Sequence, residues 1–292
     1  MDWLFFFEVV LAGIGGGALY ALAGIAFVII YKATRVVNLA IGEMLMMGAY
    51  FFLTFFAILE LPLWAAVVLA LVSGAALGGV IERLAIRPML GEDPISVFMV
   101  TVGLGSIMVG LVEIIWTADQ RRLPEFMPSE PIFLGEAFIS SKVFYGFLIA
   151  LALVILVVCI FRYWRGGVAL RATASDQGAA YAMGINVPRV FSLAWVAAAA
   201  LATVAGIVVG AIGGLSSSMG VFGLSVLVVV IVGGLDSVVG AMAAGLLIGV
   251  LEALAGAFLG GEYKLLTTFI VLVVVLMLRP YGLFGTREIE RL

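Results

Sequence analysis

The side chains that could do chemistry in this sequence are few, and the most unusual are carboxylates inside apolar runs. Glu43 falls about one turn inside a predicted helix end, and Glu252 falls within the apolar run 238–259. Ionisable groups in such runs are costly and commonly functional. Glu252 shares a helix face with small residues, so we expect a buried hydrogen-bonding role; a water-filled pathway and a proton relay are the alternatives. Asn38 and Asp236 are further polar candidates, for a pathway or for structure.

Several kinds of catalysis are excluded by residue types that the sequence lacks. It has no histidine, which removes Ser–His nucleophiles, histidine-ligated zinc and imidazole proton relays. The single cysteine, Cys159, cannot form an intramolecular disulfide. No G-x-x-x-x-G-K-[ST] loop is present, so the chain cannot itself cradle ATP phosphates. We therefore expect neither an enzyme nor a metal or cofactor held by this chain.

The elements that must carry these residues are apolar helices. Hydrophobic residues make up 65% of the chain and charged residues 11%, against about 45–50% and ~25% in soluble domains. The composition predicts an all-α polytopic integral membrane protein, with a single transmembrane domain over 1–292 and eight or nine segments of the length that a bilayer requires. The predicted segments are 4–30, 39–59, 62–81, 95–116, 143–161, 190–213, 238–259 and 265–278. A further run, 221–232, is short and predicts a broken, tilted or re-entrant helix.

The positions of Lys and Arg predict the orientation in the membrane. If the N-terminus lies outside and the run 221–232 crosses, eleven of the fifteen basic residues fall in inner loops or the C-terminal tail. Cytoplasmic loops are enriched in Lys and Arg, so we expect the N-terminus outside and the C-terminus inside. The loop 162–189 is then cytoplasmic. The loop 117–142 lies outside, and its prolines predict an ordered cap without regular structure.

Glycines recur at a spacing that favours close helix contact. Gly206 and Gly210, and likewise Gly245 and Gly249, form small-xxx-small pairs, which put small residues on one helix face. Such a face allows two helix backbones to approach closely. We expect these faces to pack within the chain, and contact with a second subunit is the alternative.

The inner loop 162–189 contains residues that are typical of the start and the end of a short helix. Ser175 suits an N-cap, Asp176 and Gln177 fit the first turn, and Gly184 suits the position after the C-cap. The sequence therefore predicts a helix of about two turns over Ser175–Met183. Ala179, Ala180 and Met183 are expected on one side, where small residues would allow a groove on another protein to approach closely.

Several segments resemble one known family, in the same order along nearly the whole chain. Ala179-Ala180 followed by Gly184 is similar to the EAA signature of permease subunits of ABC importers, although Gly178 stands where that signature has glutamate. Other segments resemble the LivH-type branched-chain amino acid permeases. They are Asn38-Leu39-Ala40-Ile41-Gly42-Glu43, Gly48-Ala49-Tyr50, Glu82-Arg83 with Arg87-Pro88, Arg171-Ala172-Thr173-Ala174-Ser175-Asp176, Gly184-Ile185-Asn186, Gly233-Gly234-Leu235-Asp236-Ser237, and Leu278-Arg279-Pro280 with Gly282-Leu283-Phe284-Gly285.

The resemblance implies a multi-pass permease of the bacterial cytoplasmic membrane that forms part of an ATP-driven importer. It implies a LivM-like paralogous permease, two ATPase subunits that bind ATP and Mg²⁺, and a substrate-binding protein as partners; nothing implies a nucleic acid. It also implies that the inner loop couples to an ATPase. The residues concerned are Arg171, Ser175, Asp176, Gln177, Ala179, Ala180, Met183, Gly184 and Ile185.

Two questions stay open at this level. The implied substrate is a branched-chain amino acid, but relatives in the same branch handle other amino acids, amides, urea or aromatic acids. A secondary transporter driven by an ion gradient is the rival class, because such proteins often contain broken helices and internal repeats. The short run 221–232 is compatible with that class, and co-purification with an ATPase would decide between the two.

Overall fold

The computed structural model describes residues 3–286, and helices dominate that part of the chain. Within it, seven helical stretches are long and apolar enough to cross a membrane. They are Trp3–Thr34, Ile41–Ile58, Leu63–Met89, Pro94–Trp116, Ser141–Tyr163, Val187–Gly213 and Val238–Phe258. The predicted polytopic, all-α class is therefore confirmed.

Of the eleven α-helices of the described residues, nine follow the apolar runs and two lie in the loop 162–189. They are α1 (Trp3–Thr34), α2 (Ile41–Leu53), α3 (Leu63–Ile81), α4 (Pro94–Trp116), α5 (Ser141–Tyr163), α6 (Arg165–Ser175), α7 (Gln177–Ala182), α8 (Val187–Gly213), α9 (Phe222–Gly233), α10 (Val238–Phe258) and α11 (Tyr263–Leu278). The predicted segment 265–278 corresponds to α11, which has only 16 residues and is shorter than a typical membrane span of about 20.

The apolar run 221–232 forms a helix that begins with a tighter turn. A 3₁₀ turn, Ser217–Val221, leads directly into α9. The whole stretch Ser217–Gly233 has 17 residues. Polar Ser216, Ser217 and Ser218 follow Gly214, whose φ of 85° ends α8 in the left-handed region. The run is short, as predicted, and the orientation that depended on its crossing the membrane stays a prediction.

Two helices end in π-helical turns. Thr54–Ile58 extends α2, and Glu82–Ile86 extends α3 and is followed by a 3₁₀ turn at Arg87–Met89. The Thr54 hydroxyl donates to the Tyr50 carbonyl at 3.0 Å and accepts from the Trp116 indole at 2.8 Å. A side chain that bonds into the helix ladder in this way accompanies local widening of helices. Apolar periodicity does not reveal such turns.

The loop 117–142 contains more regular structure than its prolines predict. A hairpin joins β1 (Ile132–Leu134) to β2 (Ala137–Ile139), and Arg121 pairs with Leu215 in an isolated bridge. Gly135 has a φ of 70°, which suits the first position of a two-residue hairpin turn. The prediction of a cap without regular structure was wrong, because a strand of three residues is too short to leave an alternating pattern.

The described chain divides into two compact units. The first unit comprises residues 1–28, 127–150 and 225–292, and the second comprises 29–126 and 151–224. The first contains a cluster of buried aliphatic side chains on α9 and α10, namely Val228, Val229, Val232, Ala244 and Ile248. In the second, α2 and α3 both pack against α8, and Phe52, Ala66, Ala70 and Ile207 form a buried cluster.

Glycines permit the closest helix approach within each unit. In the first unit, a methyl group added at Gly249 would lie 2.6 Å from the Gly13 carbonyl oxygen, and one at Gly245 would lie 2.7 Å from the Ala21 nitrogen. In the second unit, a methyl group at Gly206 would collide with the Leu45 carbonyl. Real Cβ atoms are not found so close to backbone, so α1 meets α10, and α2 meets α8, only where a side chain is missing.

Gly210 makes a different kind of contact. A methyl group added there would lie 2.8 Å from the Leu215 side chain, beyond the end of its own helix. Gly210 therefore makes room for the turn that follows α8.

Candidate functional site

The loop 162–189 contains two helices, of which the sequence predicted one. Helix α6 (Arg165–Ser175) precedes α7 (Gln177–Ala182). Ser175 is the last residue of α6, and its hydroxyl bonds back to the Arg171 carbonyl at 3.1 Å. The prediction that Ser175 caps α7 was therefore wrong. Asp176 caps it, because its backbone is extended and its side chain accepts from the Ala179 N–H at 2.9 Å.

Helix α7 ends in a Schellman motif built on Gly184. Gly184 has a φ of 83°, its N–H donates to the Tyr181 carbonyl, and the N–H of Ile185 donates to the Ala180 carbonyl, both at 3.0 Å. Asn186 then caps α8 by accepting from the Arg189 N–H at 3.1 Å. The predicted end of the helix at Gly184 has this geometry, and the turn leads directly into the next long helix.

Exposure on α7 differs from the face that we predicted. Ala180 is only 4% exposed, so it is not available to a partner. Tyr181 and Met183 are 72% and 82% exposed, and Gln177 and Ala179 are also exposed. Helical spacing placed Ala180 beside Ala179 but could not reveal which side the packing of α6 and α8 would cover. The outward surface of α7 and its C-cap is therefore formed mainly by Ala179, Tyr181 and the C-cap residue Met183.

One arginine connects this loop to the non-helical linker between α1 and α2. The guanidinium of Arg35 donates to the Ala174 carbonyl at 3.4 Å and lies 5.7 Å from the centre of the Tyr31 ring. Arg35 itself has a φ of 58°, a conformation that is costly for a residue with a side chain. Its bond to α6 accompanies this strained turn at the end of α1.

The linker continues into a buried turn held by Asn38. Asn38 is 1% exposed; its side-chain oxygen accepts from the Ala40 N–H at 3.0 Å, and its amide donates to the Met44 sulfur at 3.4 Å. The Thr101 hydroxyl on α4 accepts from the Leu39 N–H at 3.2 Å. These bonds satisfy backbone groups that a buried non-helical segment leaves open, so Asn38 supports the linker in this structure.

Glu43, just inside α2, has no comparable partner. Its Oε2 is buried and accepts no hydrogen bond from the residues that the structure describes. Glycines flank the carboxylate: a methyl group at Gly105 would lie 3.2 Å from its carboxyl carbon, and one at Gly220 would lie 2.7 Å from Oε1. A buried carboxylate oxygen without a partner is costly, so Glu43 stays a candidate polar group of the pathway.

Glu252, by contrast, is fully engaged within the first unit. The Tyr20 hydroxyl donates to Oε2 at 2.7 Å, the Ser225 hydroxyl donates to Oε1 at 3.3 Å, and the Thr268 hydroxyl also donates to Oε1. Glu252 is 8% exposed. One carboxylate thus joins α1, α9, α10 and α11, which supports the structural role over a proton relay.

This geometry gives a stability prediction. Glu252→Gln should leave thermal stability nearly unchanged, because the amide keeps an acceptor for the hydroxyls, which can also rotate to accept. Glu252→Leu should destabilise the protein by roughly 3 kcal/mol or more, because each buried hydroxyl that loses its acceptor costs about 1–3 kcal/mol. Thermal denaturation of both variants in detergent measures the difference. Equal stability of the two variants would contradict the structural role.

Asp236 lies in the turn after α9 and holds a later segment. Its carboxylate accepts from the backbone N–H of Thr286 at 3.4 Å and also from the Thr286 hydroxyl. Nearby, the N–H groups of Leu283 and Phe284 donate to the carbonyls of Val232 and Gly233 at 2.8 and 3.0 Å. The segment after α11 thus satisfies the carbonyls at the end of α9. Asp236 therefore helps to hold the segment after α11 against the end of α9.

The described residues contain no group of three or more Cys, Asp or Glu side chains placed to hold a metal ion. The candidate site consists of an exposed loop with two short helices, the linker bonded to it, and the carboxylate of Glu43.

Comparison with known proteins gives the family. Residues 9–276 match the family described as "Branched-chain amino acid transport system / permease component". The permease protein LivH of the high-affinity branched-chain amino acid transport system of Salmonella typhimurium is 31% identical over 308 residues, covering 99% of each chain. BraD, the corresponding permease protein of Pseudomonas aeruginosa, is 29% identical, covering 96% of this chain and 95% of that one.

One solved structure shares the fold. PsaBC from Streptococcus pneumoniae in complex with Fab matches with a TM-score of 0.51 and 14% sequence identity, covering 92% of this chain and 91% of that one. The predicted family, membrane location and transport class are confirmed by these matches and by the seven apolar helices. This multi-pass inner-membrane chain belongs to the family of permease components of branched-chain amino acid transport systems.

Proposed function

We propose that this chain is the permease subunit of an ATP-driven importer for branched-chain amino acids, and that α7 transmits the action of an ATPase to the membrane helices. One observation carries the proposal: α7 presents Tyr181 and Met183, 72% and 82% exposed, on a short capped helix between two apolar spans. Large apolar side chains on a polar loop suit a contact that a partner covers.

The connections of α7 suit such a role. The helix is continuous with α8 through the Gly184 turn, and α6 is bonded to the α1–α2 linker through Arg35. A displacement of the loop would therefore reach both α8 and the linker that precedes Glu43. We propose Glu43 as a polar group of the pathway, where a carboxylate suits the ammonium group of an amino acid.

The proposed partners follow from the relatives, whose names describe permeases of high-affinity branched-chain amino acid transport systems. We propose a LivM-like second permease, two ATPase subunits that bind ATP and Mg²⁺, and a substrate-binding protein on the outer side. A system of this kind divides binding, passage and hydrolysis among separate chains.

Reconstitution tests the proposal. Proteoliposomes that contain this chain with its partner subunits should take up labelled leucine, isoleucine or valine only when ATP is inside and the binding protein is outside. Ionophores that collapse ion gradients should not abolish uptake. Uptake driven by an ion gradient without any ATPase would establish the rival class, a secondary transporter. Competition by urea or amides, but not by leucine, would correct the substrate.

A further inference from the structure

A cavity of about 670 Å³ in the second unit lies between the end of α3 and the start of α8. Its polar side is formed by Glu82, Arg83 and Arg87 from the π-helical and 3₁₀ turns, and by Asn186, Arg189 and Ser192 from the start of α8. Its apolar side is the outer face of α3. Asn186 and Arg189 lie at the end of the loop 162–189, whereas Glu82, Arg83 and Arg87 lie outside the proposed coupling helix and its linker.

The charges in this cavity do not balance. Glu82 is 1% exposed and is bound by Arg87, with Nε–Oε1 at 2.9 Å and Nη2–Oε2 at 3.0 Å. Arg87 also donates to the Ser192 hydroxyl at 2.6 Å, and that hydroxyl donates to Glu82 at 3.0 Å. The only carboxylate among the lining residues is thus already neutralised.

Arg83 and Arg189 are left as uncompensated cations. Both are exposed, both line the cavity, and neither guanidinium has a hydrogen bond or ion pair with the residues that the structure describes. Two arginines that face one cavity, whose single lining carboxylate is already paired with Arg87, suit a ligand with a phosphate group.

The apolar side of the cavity continues along the membrane. Val68, Val72, Ala76 and Val80 are exposed at four-residue intervals on α3, and Leu84 continues the series in the π-helical turn that follows. From Val68 to Val80, all on α3, this stripe rises about 18 Å at 1.5 Å per residue, and half of the hydrocarbon core measures about 15 Å. A ligand with acyl chains of that reach and a phosphate headgroup fits both sides of the cavity.

We propose that this cavity binds an anionic phospholipid, with the phosphate between Arg83 and Arg189 and an acyl chain along the outer stripe of α3. The predicted orientation puts both arginines at the cytoplasmic surface, where anionic headgroups attract basic side chains.

The test uses the full-length permease in an uncharged detergent. Short-chain phosphatidylglycerol and phosphatidylcholine are titrated separately, and bound lipid is counted by native mass spectrometry. We expect tighter binding of phosphatidylglycerol, weakened about fivefold by Arg83→Gln or Arg189→Gln and about 25-fold by both together. Lysine at both positions should keep most of the preference. The matched control is Arg122→Gln, an exposed arginine of the loop 117–142, which should change nothing.

Each alternative has its own result. Equal binding of the two lipids, or equal losses in the control and the double variant, would overturn the proposal. Competition by millimolar inorganic phosphate as effective as phosphatidylglycerol would identify a site for a free anion instead. An unchanged lipid preference in the double variant, together with release of the ATPase, would assign the two arginines to a protein interface.

Discussion

Gly249→Leu should abolish the folded permease. A single methyl group at Gly249 would already lie 2.6 Å from the Gly13 carbonyl oxygen, and Gly17 backbone atoms are closer still. These neighbours are main chain, so no side-chain rotation relieves the collision. Overpacking costs about 1–3 kcal/mol for added methylenes that a core can partly absorb, and here α1 and α10 must separate. We expect no monodisperse protein in size-exclusion chromatography after detergent extraction.

The matched control is Gly16→Leu on α1. Gly16 neighbours Gly17 in sequence, but a Cβ there would meet nothing within 4 Å. This variant should elute and melt like the wild type. The melting temperature of Gly249→Ala should lie between those of Gly249→Leu and Gly16→Leu. A Gly249→Leu protein that elutes and melts normally would show that α1 and α10 are not in the contact described above.

Met183→Asp should separate the ATPase from an intact permease. Met183 is 82% exposed, so its replacement removes little packing from this chain. If α7 docks in a groove on the ATPase, a carboxylate there would be buried without a partner. Central interface residues contribute about 2–4 kcal/mol, so binding should weaken by roughly 30- to 1000-fold. Pull-down of the ATPase and substrate-stimulated hydrolysis measure the loss, with Met183→Leu as the matched control.

Gly184→Val tests the same element through its backbone. A φ of 83° is strongly disfavoured for a β-branched residue, so the turn between α7 and α8 should rearrange. The coupling of ATP hydrolysis to transport should weaken, while the membrane helices keep their melting temperature. Ala180→Trp is a poorer probe, because Ala180 is buried and the larger side chain would disturb the permease itself. Wild-type coupling in both Met183→Asp and Gly184→Val would move the docking element to another loop.

What the sequence could predict depended on how far a pattern extends. Apolar runs of about 20 residues identified the seven long helices, because lipid requires such lengths. Gly184 was predictable because few residues besides glycine adopt a positive φ readily. Helix α6 was missed, since its polar sequence has no apolar periodicity. The capping role of Asp176 was assigned to its neighbour Ser175, and both residues suit that position equally well.

The polar residues were the hardest to assign. The sequence placed Glu43 and Glu252 alike in apolar runs. In the structure, Glu43 has a buried oxygen without a partner, whereas Glu252 accepts hydrogen bonds from three hydroxyl groups. The partners of Glu252 come from three other helices, and Tyr20 is 232 positions away. No local pattern contains that information. Burial of Ala180 was hidden for the same reason.

That separation along the chain also orders events during synthesis. The second unit is complete once residue 224 has been made, whereas the first needs residues 225–292. Ribosomes add about 5–20 residues per second, so α1 waits roughly 10–50 s before Glu252 follows Tyr20 into the membrane. During that interval its glycine face, Gly13 and Gly17, has no α10 to meet. Helix α1 must therefore persist in the bilayer with this face uncovered by α10, and newly made chains are most open to wrong pairing there.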